Sequence, residues 1–203
     1  MIKVLNLYAC LGGNRLLWDN CEVTAVELDP ELARLYQERF PNDKVIIADA
    51  HQYLLNHYKE FDFIWSSPPC PSHSRVRHSQ KNRTSFKPLY PDMTLYEEIL
   101  FLKHYYKGLY CVENVIPFYE PLIAAQKRGR HLYWTNFDLP ANIGERKSIS
   151  MKSKDEVTQW CEFHDYNFRQ YKGKQRIDKI ARNLVDYKAG ETIFNQVKNI
   201  LIK

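Results

Sequence analysis

A cysteine held between prolines is the first feature of this chain that suggests covalent chemistry. The segment "FDFIWSSPPCPSHS", residues 61–74, runs from an apolar stretch into two prolines, Cys70 and a third proline. The prolines fix the backbone and remove three amide donors, which suits a rigid strand tip better than the interior of a sheet. Because a thiolate is the reactive form of cysteine and a basic segment follows, we expect Cys70 to be a nucleophile with a lowered pKa.

A second reactive group ends another apolar run, "LYCVENV", in which Glu113 is the only acid. A carboxyl group beside a nucleophile can give or take a proton, depending on how its surroundings set its pKa. Taken singly, Cys70 could be a packing residue and Glu113 a turn cap. Together they predict an active site. An unrelated cysteine hydrolase would need a histidine aimed at the thiol, and His73 is too close in sequence to serve.

Short β-branched and aromatic runs that alternate with helical patterns are the elements that must position this pair. The runs are "IKVLNLYA", "CEVTAVELD", "KVIIADA", "FDFIWSS", "LYCVENV" and "HLYWTNFDL". The clearest helix is "DPELARLYQERF", with Asp29 as N-cap and Pro30 at the first position. Further helices are predicted from about Asp92 to Gly108 and over "AGETIFNQVKNILIK". This order predicts one α/β domain, residues 1–203, with a mostly parallel Rossmann-like sheet covered by helices on both faces.

In such sheets, ligands bind beyond the carboxyl ends of the strands, where the polar residues of this chain are concentrated. A glycine pair, Gly12-Gly13, follows the first run and would let backbone approach a ligand. Glu27 ends the second run and could accept both hydroxyls of a ribose. Asp49 ends the third run and could either receive an adenine amino group or simply cap the next turn. The order predicts a nucleoside cofactor.

Composition excludes several classes of protein. The 203 residues carry a net charge of +5, and no stretch approaches the roughly 20 apolar residues of a membrane span. Five cysteines form no C-x-x-C pair, which argues against a disulfide framework and a thiolate zinc site. The pair Cys161 and His164 is only half of a metal site, so no metal is assigned. We expect a cytoplasmic monomer without a membrane partner.

Basic residues are concentrated directly after the nucleophile. Residues 71–91 contain five lysines and arginines and no acid, as a nucleic-acid contact would require, although a solvated loop has the same composition. A second mixture of aromatic and basic residues, "YNFRQYKGK", lies at residues 166–174. Such interleaving is typical of surfaces that combine base stacking with phosphate contacts, although mixed surface residues are common.

Five segments in one order resemble the DNA (cytosine-5) methyltransferase family. "SPPCPSHS" resembles the family's Pro-Cys nucleophile motif, "ENV" its Glu-Asn-Val motif and "QKRGR" its Gln-x-Arg-x-Arg motif. "NLYACLGGNRL" resembles the opening motif, and "ARNLVDYKAGETIF" resembles the closing Asn segment with its helix. Single motifs of this length are weak signals. Five in family order, spread from about Ile2 to the last helix, are a strong one.

The resemblance implies transfer of a methyl group from S-adenosylmethionine to C5 of cytosine in DNA, through a Cys70–C6 adduct on a base rotated out of the helix. Glu113 would hold the base edge at N3, Arg130 would contact the base and Arg128 would support the site. Tyr8 would stack on adenine, Glu27 would bind ribose and Asp49 the adenine amine. The implied cofactor-binding residues are Tyr8, Ala9, Leu11, Gly12, Gly13, Glu27, Leu28, Asp49, Ala50, Pro69, Leu95, Asn183 and Val185.

The recognition region is shorter than the resemblance implies. Only residues 131–182 separate the Arg-x-Arg motif from the closing segment, leaving a reduced target-recognition insert at residues 139–176. We therefore predict short or relaxed sequence specificity, of the kind expected for a phage or restriction-modification enzyme. The predicted nucleic-acid-binding residues are Ser74, Arg75, Arg77, Lys81, Arg83, Lys87, Arg169, Lys172 and Lys174.

Four positions depart from the family pattern. Asn6 stands where the family has Asp, Cys10 where it has glycine, Pro71 where it has Gln, and Arg182 where a glycine precedes Asn183. Two alternatives stay open. One is an RNA methyltransferase, since the family has a transfer-RNA branch with the same Cys and Glu. The other is a non-catalytic nucleic-acid-binding relative, which the departures favour and the retained catalytic pair opposes.

Overall fold

A seven-stranded sheet forms the centre of the molecule. The computed structural model describes residues 1–144, 149 and 155–202. The strands are β1 Ile2–Leu7, β2 Cys21–Glu27, β3 Lys44–Ile47, β4 Phe63–Ser66, β5 Leu109–Val115, β6 Gln126–Arg128 and β7 His131–Thr135. Their order in the sheet is β3-β2-β1-β4-β5-β7-β6. β1 to β5 pair in parallel, whereas β7 runs antiparallel to both of its neighbours.

Helices connect the strands and close the chain. They are α1 Pro30–Arg39, α2 Ala50–His57, α3 Arg75–His78, α4 Thr94–Tyr105, α5 Glu156–His164, α6 Ile177–Asn183 and α7 Tyr187–Leu201, with 3-10 turns at Tyr58–Glu60 and Phe168–Gln170. The predicted cap of α1 is confirmed, because the Asp29 carboxylate accepts bonds from the first-turn amides and Pro30 begins the helix. β6, α2, α5 and α6 were not predicted from the sequence pattern.

Parallel strands buried on both faces require helices on both faces, and successive side chains of β1 and β4 point into two different cores. Leu5, Leu7 and Ile64 pack with α2 and α4 on one face. Val4 and Trp65 pack with Trp18 and α7 on the other. The predicted fold, a mostly parallel Rossmann-like sheet between two helical layers, is confirmed.

A third core joins the second half of the chain to α1. Leu32 and Leu35 of α1 contact Trp160 of α5 and Ile180 of α6, and Leu11 from the loop after β1 completes the cluster. α5 and α6 thereby lie beside the first crossover of the sheet. α5 belongs to the predicted recognition insert, residues 139–176, and α6 follows it directly.

The strand order reverses direction between β1 and β4, since the chain proceeds from β1 outward to β3 and then returns to β4 on the other side. The crevice outside the carboxyl ends at such a reversal is the usual ligand site of an open α/β sheet. None of the described helices has the length and apolar character of a membrane span. Within the same described residues, no group of three His, Cys, Asp or Glu is arranged to hold a metal ion.

Candidate active site

Cys70 and Glu113 lie at the same edge of the sheet, Cys70 after β4 and Glu113 near the end of the neighbouring strand β5. β4 pairs in parallel with β5 up to Ser66 opposite Val112, and β5 continues to Val115 in the direction in which the chain leaves β4 toward Cys70. Cys70 follows four residues after β4, and Glu113 is buried near the end of β5. The charge of Glu113 acts directly on the pKa of the Cys70 thiol. The structure therefore brings the predicted nucleophile and the predicted acid together.

Hydrogen bonds fix the cysteine segment to the end of β5. The buried Asn114 side chain donates from Nδ2 to the Pro68 carbonyl at 2.9 Å. The amides of His73 and Ser74 each donate to the Cys70 carbonyl at 3.1 Å, which forms a tight turn, and the Phe118 amide donates to the His73 carbonyl at 3.0 Å. Proline provides no amide donors here, so these bonds supply the rigidity that the sequence predicted.

The environment of the thiol differs from the sequence expectation. Burial, followed by the negative charge of Glu113, raises the pKa of Cys70 to about 11. The basic segment after Cys70 was expected to lower this pKa, and that expectation is wrong. The cation that opposes the rise is Lys179 of α6. In the free protein Cys70 is therefore a protonated thiol.

Two arginines and a histidine complete this edge of the sheet. Arg128, predicted to support the site, donates from Nη2 to the Leu139 carbonyl at 2.6 Å and so ties β6 to the segment after β7. Arg130, predicted to contact the base, is exposed in the turn before β7. His131 was not predicted, yet its Nε2 lies 3.4 Å from Oε1 of Glu113. The antiparallel pairing of β7 with β5 explains this contact.

Three side chains at the ends of β2 and β3 fit the nucleoside half of S-adenosylmethionine. Both carboxylate oxygens of Glu27 are oriented by amides, from Cys10 at 2.8 Å and from Asp29 at 2.9 Å, and each oxygen keeps a lone pair for a hydroxyl. Leu28, 66% exposed, offers an apolar surface beside it. Asp49 caps α2 through Oδ1, so the cap prediction is confirmed and Oδ2 is left as an acceptor. Burial raises the pKa of Glu27, while the Asp29 and Cys10 amides oppose the rise.

The glycine pair after β1 has a different purpose from the one expected. A Cβ on Gly13 would lie 2.2 Å from the Val185 carbonyl oxygen, and one on Gly12 would lie 2.4 Å from the Phe40 ring. Gly12 also has a φ of +67°, in the left-handed region. The side-chain space of both glycines is filled by the protein itself. Their small size lets the loop pack against α1 and the segment before α7, and the Gly12 amide donates to the Ala9 carbonyl at 2.8 Å within the same loop.

The fully buried carboxylate of Glu98 links the end of β1 to the end of β4, and it was not predicted from the sequence. Glu98 of α4 accepts the hydroxyl of Tyr8 at 2.5 Å and that of Ser66 at 2.6 Å, and its Oε1 lies 3.2 Å from Nδ1 of His51. Tyr8 follows β1 and Ser66 ends β4, so Glu98 spans the point where the strand order reverses. The hydrogen bond to Glu98 is the main reason that the pKa of His51 is raised. An acid at helical spacing among apolar residues was the available signal.

The predicted cofactor-binding residues differ in how far their side chains are exposed to solvent. Leu28, Asp49, Pro69 and Asn183 are exposed, and Tyr8, Glu27 and Val185 are half-buried. Six are buried: Ala9, Leu11, Gly12, Gly13, Ala50 and Leu95. Leu11 lies in the core shared by α1, α5 and α6, and Leu95, in the first turn of α4, lies in the core between α4 and the sheet. The side chain of Leu11 is therefore committed to packing, and only its backbone could contact a cofactor.

The basic segment after Cys70 forms α3 and an irregular, mostly exposed stretch that leads to α4. Ser74 makes an isolated bridge with Pro117, and Arg75 donates to the Pro117 carbonyl at 2.9 Å. Arg77 donates to the Lys87 carbonyl at 2.7 Å, which folds the segment on itself. The side chains of Lys81, Arg83 and Lys87 are exposed. Their assignment as nucleic-acid contacts stays a prediction.

Phe168 and Tyr171 of the predicted recognition insert are core residues, which corrects their assignment to base stacking, whereas Tyr166 is half-buried. Phe168 and Tyr171 are buried in the cluster formed with α1, and the Tyr171 hydroxyl donates to Asp29 at 2.6 Å. Arg169 donates to Thr158 at 2.8 Å within the same segment. Lys172 and Lys174 are exposed and stay predictions. Residues 145–148 and 150–154 of the insert lie outside the described residues.

The unusual Arg182 has a structural explanation. Its guanidinium pairs with the buried Glu156 of α5, with Nη2 2.6 Å from Oε2, and also contacts Asp178 one turn earlier on α6. A two-point arginine–carboxylate pair of this kind fixes the angle between two helices. The arginine that replaces the family's glycine therefore joins α5 to α6, and it gives no support to a loss of catalytic function.

Comparison with solved structures gives similarities at low sequence identity. A hypothetical protein of Thermus thermophilus is 19% identical, with 66% of this chain and 73% of that chain covered and a TM-score of 0.46. A variant of DNMT2 from Spodoptera frugiperda is 22% identical, with coverages of 57% and 36% and a TM-score of 0.39. The methyltransferase EhMeth of Entamoeba histolytica is 12% identical, with coverages of 79% and 59% and a TM-score of 0.45. The chain spans less than two thirds of the length of the last two proteins.

No curated protein matches the chain. The model of one protein family does: C-5 cytosine-specific DNA methylase, over residues 2–115. This segment begins at β1, ends at β5 and contains both Cys70 and Glu113. The methyl donor of the family is S-adenosylmethionine, which the carboxylates of β2 and β3 fit. Because the match covers more than half of the 203 residues, the chain belongs to the C-5 cytosine-specific DNA methylase family.

Proposed function

We propose that the protein methylates C5 of cytosine in DNA, with short or relaxed sequence specificity. The observation that carries this proposal is the joint position of Cys70 and Glu113 at the ends of β4 and β5, beside the carboxylates that suit the methyl donor. S-adenosylmethionine, when bound, supplies an electrophilic methyl group. The residues of the chain supply the nucleophile, the proton and the orientation of the base.

The chemical step needs Cys70 to lose its proton only when the base is in place. The Cys70 thiol gives its proton to water as its sulfur bonds to C6, and Glu113, which has taken up a proton from solvent, donates that proton to N3, so that electron density gathers at C5. After C5 has taken the methyl group, the hydrogen on C5 leaves to water as a proton. The electron pair of that C–H bond restores the C5–C6 double bond and expels the Cys70 thiolate, and N3 returns its proton to Glu113.

The raised pKa of Cys70 supports this order of events. A thiol held protonated by burial and by Glu113 reacts more slowly with other electrophiles in the free protein. When the Glu113 carboxylate takes up a proton that it shares with N3 of the bound base, the negative charge beside the thiol is reduced and ionisation of Cys70 becomes easier. Substrate binding would thus activate the nucleophile. His131, 3.4 Å from Glu113, is placed to hold the carboxyl group toward the base.

The test is to incubate the purified protein with isotope-labelled S-adenosylmethionine and DNA, and then to measure 5-methylcytosine in the digested nucleosides. We expect Cys70→Ser and Glu113→Gln to abolish transfer while cofactor binding persists. The matched controls are Cys21→Ser, at the start of β2 on the opposite edge of the sheet, and Glu120→Gln, which is exposed. Absence of 5-methylcytosine from several DNA substrates, despite cofactor binding, would refute the proposal.

Transfer RNA is included as a competing substrate in the same assay, because the catalytic pair alone does not select between the two polymers. Preferential methylation of transfer RNA would reassign the substrate and leave the reaction unchanged. A protein that binds nucleic acid and cofactor but transfers no methyl group to either polymer would be a non-catalytic relative. Sequencing of bisulfite-treated product DNA would then give the context of each methylated cytosine and hence the length of the recognised sequence.

A further inference from the structure

The surface beside Cys70 combines positive charge with exposed apolar side chains in an unusual proportion. We define this surface as the rim: α3, residues 79–93 and Phe118. Tyr90 of the rim is 95% exposed, Leu89 is 56% exposed and Phe118 is 38% exposed. The exposed cations Lys81, Arg83 and Lys87 outnumber the one acid of the rim, Asp92, so the same surface is electropositive.

Both ends of the rim are attached close to the nucleophile. At one end, Arg75 donates to the Pro117 carbonyl and Ser74 pairs with Pro117. At the other, the Asp92 amide donates to the Ser72 hydroxyl at 3.0 Å, two residues beyond Cys70. A polymer that presents a base to Cys70 would therefore lie next to the rim.

Two aromatic features of the rim are held in place rather than free to fold inward. Tyr90 lies between Pro88 and Pro91, which restrict the backbone on both sides. The rings of His78 and Phe118 stack in parallel, with centroids 4.3 Å apart and planes inclined by 4°. A stacked pair at the surface offers a flat outer face of the size of a nucleobase.

An intact duplex exposes no base faces on which the aromatic rings of such a surface could stack. Its outside consists of phosphates and groove edges, which cations and polar groups contact, whereas its base faces are stacked within the helix. Unpaired strands expose base faces, and proteins bind them with aromatic platforms set among cations. The other described segment that could read a groove, α5 and α6, has its aromatic residues buried against α1.

We propose that the rim binds single-stranded nucleic acid, with Tyr90 and the His78–Phe118 pair stacking on bases that flank the target cytosine. The inference rests on the proposed function, which it deepens by naming an unpaired strand as the substrate class. An unpaired cytosine does not have to be extracted from a duplex, so the enzyme avoids the cost of unstacking a base pair. The mixture of cations and exposed aromatic rings in the rim is thereby explained.

The test measures binding separately from methylation. Fluorescence anisotropy of Cys70→Ser protein with oligonucleotides of one sequence, as single-stranded DNA, single-stranded RNA and duplex DNA, gives the affinity for each. We expect the single strands to bind at least tenfold more tightly than the duplex. Tyr90→Ala should weaken single-strand binding roughly tenfold, whereas Tyr90→Phe should not. The control is Tyr105→Ala, which removes a tyrosine that is 65% exposed at the far end of α4.

Each outcome has a separate meaning. Duplex binding equal to or tighter than single-strand binding, or equal effects of Tyr90→Ala and Tyr105→Ala, would overturn the inference and leave methylation untouched. Single-strand binding that depends on Tyr90, in a wild-type protein that yields no 5-methylcytosine, would uphold the inference and defeat the proposed function. Sedimentation of wild-type and Tyr90→Ala proteins covers the remaining case, because loss of a dimer on substitution would overturn the inference by showing that the rim contacts a second copy of the chain.

Discussion

The ionisation of Cys70 can be measured without knowing the substrate. Its pKa of about 11 arises from burial and from Glu113. At pH 8, a thiol of that pKa is about 0.1% ionised, compared with roughly 24% for a free cysteine of pKa ~8.5, a difference of about 240-fold. Thiolates of higher pKa are intrinsically more nucleophilic, by roughly tenfold over this interval. We therefore expect Cys70 to react with a neutral disulfide about twentyfold more slowly than free cysteine.

The assay is reaction with 4,4′-dithiodipyridine, with the extent of modification read on the Cys70 peptide by mass spectrometry. The logarithm of the rate should rise by about one for each pH unit from roughly 7 to 9.5, without a plateau, because the thiol is still largely protonated over this range. Cys70→Ser protein identifies the contribution of the other cysteines, of which Cys10 and Cys111 have pKa values raised still further by burial.

Substitutions separate the effect of burial on the pKa of Cys70 from the effect of neighbouring charges. Glu113→Gln should speed modification, since it removes the like charge, and the pKa should stay above that of free cysteine because burial persists. Lys179→Met should slow modification, whereas Lys81→Met, in the basic segment, should leave the rate unchanged. A plateau centred near pH ~8.5, the ordinary pKa of a free thiol, or equal effects of the two lysine substitutions, would contradict this account of the site's electrostatics.

Three further predictions concern stability and are measured by urea unfolding. Arg182→Ala leaves the carboxylate of the buried Glu156 without its guanidinium partner and should cost about 2 kcal/mol, less than a fully buried pair because the arginine is partly exposed; an unchanged midpoint would contradict the helix-joining role. Gly13→Ala should cost about 1–3 kcal/mol, because the new methyl group meets the Val185 carbonyl, and preserved stability would show that the loop can shift. The raised pKa of His51 means that its contribution is present below its ordinary pKa of 6.5 and is lost as pH rises through the folded pKa, so His51→Gln should reduce the fall in stability between about pH 6 and 8.

The sheet was predictable because its signals are local. Each of β1 to β5 is a short apolar run bounded by turn residues, and Asp29 with Pro30 marks the start of α1 without reference to any other part of the chain. The common position of Cys70 and Glu113 was predictable for a related reason, since the carboxyl ends of parallel strands lie at one edge of the sheet and carry their terminal residues to one place. Strand β6, only three residues long, carries no periodicity and could not be found in this way.

What sequence could not supply were the long-range contacts. The aromatic residues Phe168 and Tyr171 read as a surface pattern until α1 is seen to cover them. The role of Glu98 depends on three partners, which are residues 8, 51 and 66, and no pattern within α4 identifies them. The pKa of Cys70 depends on burial, which a list of neighbouring charges in the sequence does not reveal.

The attachment of α5 and α6 to α1 restricts how the specificity of this enzyme could be redesigned. Leu32 and Leu35 would face water if that segment were exchanged for a foreign reading module, so a graft at this position would unfold the scaffold instead of retargeting it. The side chains between α3 and α4 are mostly exposed and do not cover apolar residues of another helix in this way. Changes of target preference in this chain should therefore be sought by substituting exposed residues between α3 and α4, next to Cys70, and not by exchanging a whole domain.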